Sequence, residues 1–106
     1  MKFRFHEKLY SDGFSDKKLR SIESNIKRGK LMPGIFIITL PIMEDGILEI
    51  YRYAEFLLPI YKEHDGEVTV VGVAKSKEDA FSLVERIVKD VGVTDGKLII
   101  TDFFGG

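Results

Sequence analysis

Four polar side chains stand where apolar runs of the chain end or are interrupted. Asp45, Lys75 and Ser76 follow two such runs, and Asp102 interrupts a third. If the runs are strands of an open α/β sheet, a ligand binds in the crevice at their carboxyl ends. An amine, a hydroxyl and the N–H groups of a helix start can hold an anion there. The four residues therefore form a predicted binding site for a small phosphorylated or carboxylated ligand.

The side chains that most often carry catalysis or metals are few in this chain. The chain has no cysteine, which excludes thiol catalysis, disulfides and cysteine-bound metal centres. The two histidines, His6 and His64, have no second ligand at helical or strand spacing, so we expect no metal and no cofactor. His6 is expected at an exposed position of an edge strand. The chain contains neither of the glycine-rich phosphate-binding motifs, Gly-x-Gly-x-x-Gly and Gly-x-x-x-x-Gly-Lys-Ser/Thr. The sequence therefore favours a protein that is not an enzyme.

A basic first helix raises the alternative of nucleic-acid binding. The helix and its flanks carry Lys17, Lys18, Arg20, Lys27, Arg28 and Lys30. At about 100° per residue these charges spread around most of the polar circumference instead of forming one stripe. A sequence pI of about 6.1 is also not typical of a nucleic-acid-binding domain. Nucleic acid is therefore a disfavoured partner.

Charge is divided unevenly along the chain, although the net charge is −1. Residues 1–33 hold nine Lys or Arg and four Asp or Glu, whereas residues 34–106 hold seven and thirteen. Such a division would suit an anionic partner, a self-complementary surface, or simply two solvated faces. With twelve aromatic residues and no recognisable catalytic group, the chain is best interpreted as a non-catalytic binding or interaction module that self-associates.

The length of 106 residues and the 44% apolar content predict a single α/β domain over residues 1–106. No segment approaches the roughly 18 consecutive apolar residues that cross a bilayer, so we expect no membrane partner. The first residues lack the apolar stretch of a signal peptide, and a cytoplasmic location is expected.

Hydrophobic patterns predict alternating strands and helices. The predicted strands are 2–9, 35–40, 68–74 and 98–103. The last three are continuous apolar runs, which are typical of strands buried on both faces and hence of mainly parallel sheets. One helix is predicted over 16–28 after the N-cap Ser15, and another between Ser76 and Gly92. The expected fold is a small α/β domain with a mainly parallel four-stranded sheet and three helices.

The segment 47–63 decides this topology and allows two interpretations. Seven apolar residues recur at helical spacing over it, which favours a helix with a kink near Pro59. The dipeptide Asp45-Gly46 instead favours a hairpin that pairs 35–43 with 47–53. The helix is preferred, and the hairpin would give an α+β ferredoxin-like fold as the alternative.

Three residues flank the apolar stripe of that predicted helix. Tyr53, Phe56 and Ile60 widen its apolar arc beyond what one sheet face needs to cover. The sequence therefore predicts them as interface residues of a homodimer.

The unit 68–87 also carries a resemblance. The segment Val70-Val71-Gly72-Val73-Ala74, with Ala80, Leu83 and Ile87 after it, resembles a group of short bacterial proteins of about this length without an assigned function. The resemblance extends over residues 30–92 and rests mainly on core positions. It implies a bacterial source and a strand-helix unit, and no activity.

Overall fold

The chain folds in the order strand, helix, three strands, helix. The computed structural model describes residues 2–41, 48–62, 66–92 and 104. Its main elements are β1 (Lys2–Ser11), α1 (Asp16–Lys27), β2 (Phe36–Thr39), β3 (Glu49–Arg52), β4 (Glu67–Ala74) and α2 (Lys77–Val91). Between β3 and β4 lie a 3-10 helix (Tyr53–Leu57) and a single α-helical turn (Pro59–Lys62). The strand expected at 98–103 lies outside the described residues.

The described strands form one mixed sheet in the order β1-β4-β2-β3. Strands β1 and β4 are parallel, whereas β2 is antiparallel to both β4 and β3. The prediction of a mainly parallel sheet with three helices is therefore wrong, since the described residues hold one parallel pair and two α-helices longer than one turn. Continuous apolar runs indicate cover on both faces, which α1 and α2 supply here whatever the direction of the strands.

The predicted helix over 47–63 is also wrong. Its first part is β3, which pairs with β2 as an antiparallel hairpin and places Ile50 opposite Ile38. The isoleucine and Tyr51 favour a strand, and pairing satisfies their backbone groups. Pro59 begins the helical turn, where a missing N–H costs nothing. Only this turn and the 3-10 helix separate β3 from β4 in the described residues, so the second helix of a ferredoxin-like fold is not matched.

Both long helices begin at the serines that the sequence indicates. The Ser15 hydroxyl accepts a hydrogen bond from the backbone N–H of Lys18 at 3.1 Å, and Ser76 accepts one from Asp79 at 3.0 Å. Each bond satisfies an N–H that has no partner within the helix. No helix in the described part of the chain has the length and apolar character needed to cross a bilayer.

Apolar side chains form two cores, one on each face of the sheet. The core under α1 consists of Ile22, Ile26, Ile37, Tyr53, Phe56, Val68, Val70 and Val73. The core under α2 consists of Ile38, Val71, Ala74, Ala80, Leu83, Ile87 and Phe104. Strand β4 contributes to both cores, which explains its continuous apolar sequence.

A bulge in β4 sets which of its residues enter which core. Thr39 pairs with Val70 and Ile38 pairs with Gly72, so two residues of β4 span one step of β2. The extra residue shifts the alternation of side chains along the strand. A Cβ at Gly72 would lie 2.9 Å from Ile38 Cδ1, so glycine allows a close approach at this position that any side chain would crowd.

Strand β1 is irregular after Phe5, and His6 lies buried at the start of the irregular segment. Phe5 pairs with Val70 and Tyr10 with Gly72, so the intervening residues of β1 bulge away from regular pairing. His6 is buried: its Nδ1 accepts from the Lys8 backbone N–H, and its Nε2 lies 3.0 Å from the Phe104 carbonyl oxygen. Because Nδ1 accepts, the proton is on Nε2, which donates to that oxygen. The expectation of an exposed His6 is wrong because its side chain lies on the face of β1 opposite Phe5, where Phe104 packs against it with the two ring centres 5.0 Å apart.

Candidate functional site

Three strands and the start of α2 meet at one end of the sheet. Ala74, the last residue of β4, pairs with Phe36 at the start of β2, and Phe36 pairs with Arg52 at the end of β3. Helix α2 begins at Lys77, three residues after β4 ends. The antiparallel pairing thus brings the first residue of one strand beside the last residues of two others.

A cleft of about 290 Å³ lies at this end, on the face covered by α2. It is lined by Phe36, Ile50, Arg52, Glu55, Lys77 and Phe81. We call it the α2 cleft. Phe36 and Ile50 also pack against the core under α2, so the floor of the cleft is continuous with that core.

Each of the two cations of the α2 cleft lies over an aromatic ring. The guanidinium carbon of Arg52 is 5.8 Å from the centre of the Phe36 ring, and Lys77 Nζ is 5.9 Å from that of Phe81. These distances are within the range of about 6 Å in which a cation is attracted to a ring face. Phe81 is 51% exposed, although it is a large apolar residue on a helix. The cleft therefore presents positive charge and apolar ring surface together.

Glu55 gives the lining a hydrogen-bond acceptor in addition to the two cations. It stands in the first turn of the 3-10 helix and is exposed. A ligand in the cleft meets two positive groups and one carboxylate. This arrangement suits a molecule with an anionic end and a separate N–H or O–H donor.

The predicted ligand residues Lys75 and Ser76 flank the cleft without lining it. Ser76 is the N-cap of α2, and its hydroxyl oxygen accepts from Asp79. Lys75 extends toward the loop after β1, where a Cβ on Gly13 would be 2.8 Å from Lys75 Nζ. Asp45 and Asp102 lie outside the described residues. The structure therefore places two of the four predicted residues, Lys75 and Ser76, beside the α2 cleft, and whether they bind a ligand stays a prediction.

Arg52 and Lys77 are the site residues that the sequence reasoning missed. Lys77 belongs to the Lys75-Ser76-Lys77 segment, whose helix-start signal placed it near the site. A helix over 47–63 would instead place Arg52 on the side opposite its apolar stripe, facing solvent. The Asp45-Gly46 signal could have identified it, because a hairpin places Arg52 at the end of a strand beside Phe36.

The three predicted interface residues differ in their exposure to solvent. Tyr53 is 0% and Phe56 is 2% exposed, and both belong to the core under α1. The expectation that they lie at the surface is corrected because the 3-10 helix turns them toward α1. Ile60 is 76% exposed on the following helical turn.

Two tyrosines have perturbed ionisation outside the α2 cleft. Burial, together with a 2.6 Å hydrogen bond from its hydroxyl to Asp90 Oδ2, raises the pKa of Tyr10 to about 12. Burial also raises the pKa of Tyr53, whose hydroxyl has no hydrogen-bond partner among the described residues. Tyr10 joins β1 to α2, and Tyr53 belongs to the core under α1. Neither tyrosine lines the α2 cleft.

Metal binding has no support in the part of the chain that the structure describes, which holds no group of three potential ligands.

Comparisons of the chain with family models, with curated proteins and with solved structures find no match. The resemblance to short bacterial proteins stays a prediction. The chemistry of the α2 cleft is therefore the basis for assigning a function.

Proposed function

We propose that this protein is a small non-catalytic binding domain that holds an aromatic carboxylate in the α2 cleft. The observation that carries the proposal is the pair of cations, Arg52 and Lys77, over the rings of Phe36 and Phe81. These groups come from β2, β3 and α2, so folding brings together residues that are distant in sequence.

The size and lining of the cleft support a ligand with a single ring. Its volume of about 290 Å³ lies at the lower end of the range for ligand pockets, which is roughly 300 to 1,000 Å³. A planar ring can pack between Phe36 and Phe81. A carboxylate matches the forked donors of Arg52 and the ammonium group of Lys77. The carboxylate of Glu55 can accept a hydrogen bond from an N–H group, so it favours a ring that also carries an amine.

Binding fits the lining better than catalysis does. A catalytic nucleophile or base acts when a second group activates or orients it. Among the lining residues that the structure describes, Glu55 is the one carboxylate that could take a proton, and it is exposed. The other lining groups supply charge and apolar contact, which position a ligand.

We also propose that the protein is located in the cytoplasm.

Self-association of the chain is supported by one structural feature, a pair of exposed apolar side chains. Leu58 and Ile60, which are two residues apart in the chain, are large apolar residues with exposed fractions of 52% and 76%. Light scattering over a concentration series tests it: Ile60→Asp should shift a homodimer toward the monomer. A monomer at every concentration of the wild-type chain would reject self-association and leave the ligand proposal unaffected.

The ligand proposal is tested by following backbone amide shifts during titration with para-aminobenzoate, cyclohexanecarboxylate and inorganic phosphate. We expect para-aminobenzoate to bind most tightly and to shift the amides of Lys77 and Phe81. Arg52→Gln and Lys77→Gln should each weaken binding by about fivefold or more. Lys89→Gln, on the exposed side of the same helix, is the matched control and should change nothing.

Two results would overturn the ligand proposal. Equal affinity for para-aminobenzoate and phosphate would show that charge alone is recognised. Shifts that persist unchanged in both Arg52→Gln and Lys77→Gln would place the binding elsewhere on the molecule.

A further inference from the structure

The opposite face of the sheet carries a second concave surface at the C-terminal end of α1. An inner pocket of about 230 Å³ is lined by Phe3, Ile26, Lys27, Arg28, Gly29, Phe56 and Leu57. An adjoining depression of about 300 Å³ is lined by Arg20, Glu23, Ser24, Lys27 and Arg28. The two share Lys27 and Arg28, and we call them together the α1 groove.

The inner pocket has an apolar base. Phe3 and Phe56 meet edge to face with their ring centres 5.3 Å apart, and Ile26 is 1% exposed. At the rim, Gly29 has a φ of 68°, and no heavy atom lies within 4 Å of the position that a Cβ would take. The rim is therefore bare backbone beside open space. A pocket of this size and lining can take one large apolar side chain.

The outer half of the groove is positively charged. Arg20, Lys27 and Arg28 are all exposed. Lys27 is paired with Glu23 at 3.2 Å and lies over the Phe5 ring at 5.8 Å. In the described part of the chain no ion pair joins Arg20 or Arg28 to a carboxylate, and one acid faces three bases in this depression.

We propose that the α1 groove binds a peptide segment in which a large apolar side chain is flanked by acidic residues. The apolar side chain would enter the inner pocket, and the flanking carboxylates would meet Arg20 and Arg28. A charged surface of one sign attracts a partner of the other and fixes its orientation. This is a site separate from the α2 cleft, with its own residues and partner.

The shape of the groove favours a peptide over a small molecule. Ligand pockets typically bury about 70–90% of a small ligand. The outer half here is the exposed surface of a helix, where a small molecule would remain largely in water. An extended chain can lie along Arg20, Ser24 and Arg28 while one of its side chains is buried in the inner pocket.

The rings of the groove argue against single-stranded nucleic acid. Bases bind such surfaces by stacking on accessible aromatic faces. Phe56 is 2% exposed, and the Phe3 ring is half-buried against it. Neither ring presents a full face on which a base could stack, whereas the half-buried Phe3 and Leu57 give the inner pocket an apolar wall for a side chain.

Fluorescence anisotropy with a labelled peptide tests this proposal on the full chain. The probe is Asp-Glu-Phe-Asp-Glu, and the comparison peptides replace Phe by Ala or the acids by Lys. We expect binding that weakens with salt, and a loss of about tenfold or more in affinity with the Ala peptide. The double variant Arg20→Glu/Arg28→Glu should also weaken binding by about tenfold or more. Lys89→Glu on α2 is the matched charge reversal and should leave the affinity unchanged.

Three results would overturn the proposal. One is no binding of the Phe peptide up to about 1 mM, which corresponds to roughly −4.1 kcal/mol. Another is an unchanged affinity in Arg20→Glu/Arg28→Glu when its circular dichroism matches that of the wild type. The third is tighter binding of a single-stranded oligonucleotide than of the Phe peptide at the same salt, which would assign the surface to nucleic acid.

Discussion

The two faces of the sheet are covered in different ways. Helix α1 buries only Ile22 and Ile26, and aromatic residues from β1 and the 3-10 helix complete the core beneath it. Helix α2 is three residues longer and buries Ala80, Leu83 and Ile87 against β2 and β4. A short helix with a narrow apolar stripe needs bulky residues from other elements, and it leaves a groove where those elements meet its end.

The surfaces of the two helices differ in charge as well. Helix α1 carries four Lys or Arg and two Asp or Glu, whereas α2 carries three and four. The cations of α1 face an exposed groove, but Lys77 of α2 lies over a ring at the edge of a cleft. The two faces therefore suit different partners, an acidic chain on one and a small anion on the other.

The largest test of this comparison concerns the aromatic residues under α1. Phe56→Ala should lower the free energy of unfolding by about 3–5 kcal/mol, because it removes a buried ring from the core. Ile60→Ala, four residues later and 76% exposed, should change it by no more than about 0.5 kcal/mol. Urea unfolding measures both. Similar effects of the two changes would show that the 3-10 helix does not place Phe56 in the core.

A second test concerns the close approach of strands under α2. Gly72→Ala should cost about 1–3 kcal/mol, since its Cβ would lie 2.9 Å from Ile38 Cδ1. Ile38→Val removes Cδ1 and alone should cost about 0.5–1.5 kcal/mol.

The double variant Gly72→Ala/Ile38→Val should therefore be less destabilised than the sum of the single variants. Additive free energies of unfolding would contradict the close approach of Gly72 to Ile38.

Removing the hydroxyl group of Tyr53 or of Tyr10 should change the free energy of unfolding by smaller amounts and with opposite signs. The buried Tyr53 hydroxyl has no hydrogen-bond partner in the described residues, so Tyr53→Phe should stabilise the fold by about 1 kcal/mol. The Tyr10 hydroxyl joins β1 to α2 through Asp90, so Tyr10→Phe should destabilise it by about 0.5–1.5 kcal/mol. Thermal unfolding of both variants checks this, and a shift of the same sign in both would refute the assignment.

The smallest effect appears at alkaline pH. An unfolded tyrosine ionises near pH 10.0, whereas folding raises the pKa of Tyr10 to about 12. The folded state holds its proton more tightly, so this contribution to stability is complete below pH 10.0 and is lost as the pH rises toward about 12. Tyr10→Phe lacks the contribution, and its free energy of unfolding should fall less steeply over that interval. Parallel curves for the wild type and the variant would contradict the raised pKa.

Local patterns in the sequence predict much of this fold. The serine caps, the helix over 16–28 and the apolar strands at 35–40 and 68–74 appear close to their expected positions, because caps and periodicity act within a few residues. The sequence also predicts a binding site at the end of β4, which is where the α2 cleft lies. It misplaces Arg52, Tyr53 and Phe56, because spacing alone cannot separate a helix from a strand followed by a 3-10 helix.

By itself, then, the sequence determines which segments are apolar on both faces, where α1 and α2 begin, and that the chain is basic at first and acidic later. Only the tertiary structure decides the direction of β2 against β4, because hydrogen bonds and burial are satisfied in parallel and antiparallel pairs alike. That choice places Phe36 beside Ala74, whereas the β2–β3 hairpin places Phe36 beside Arg52. The pairing of β2 with β4 thereby brings Lys77 and Phe81, which follow β4 in the chain, to the hairpin, and no local pattern in the sequence indicates that these two parts meet in the α2 cleft.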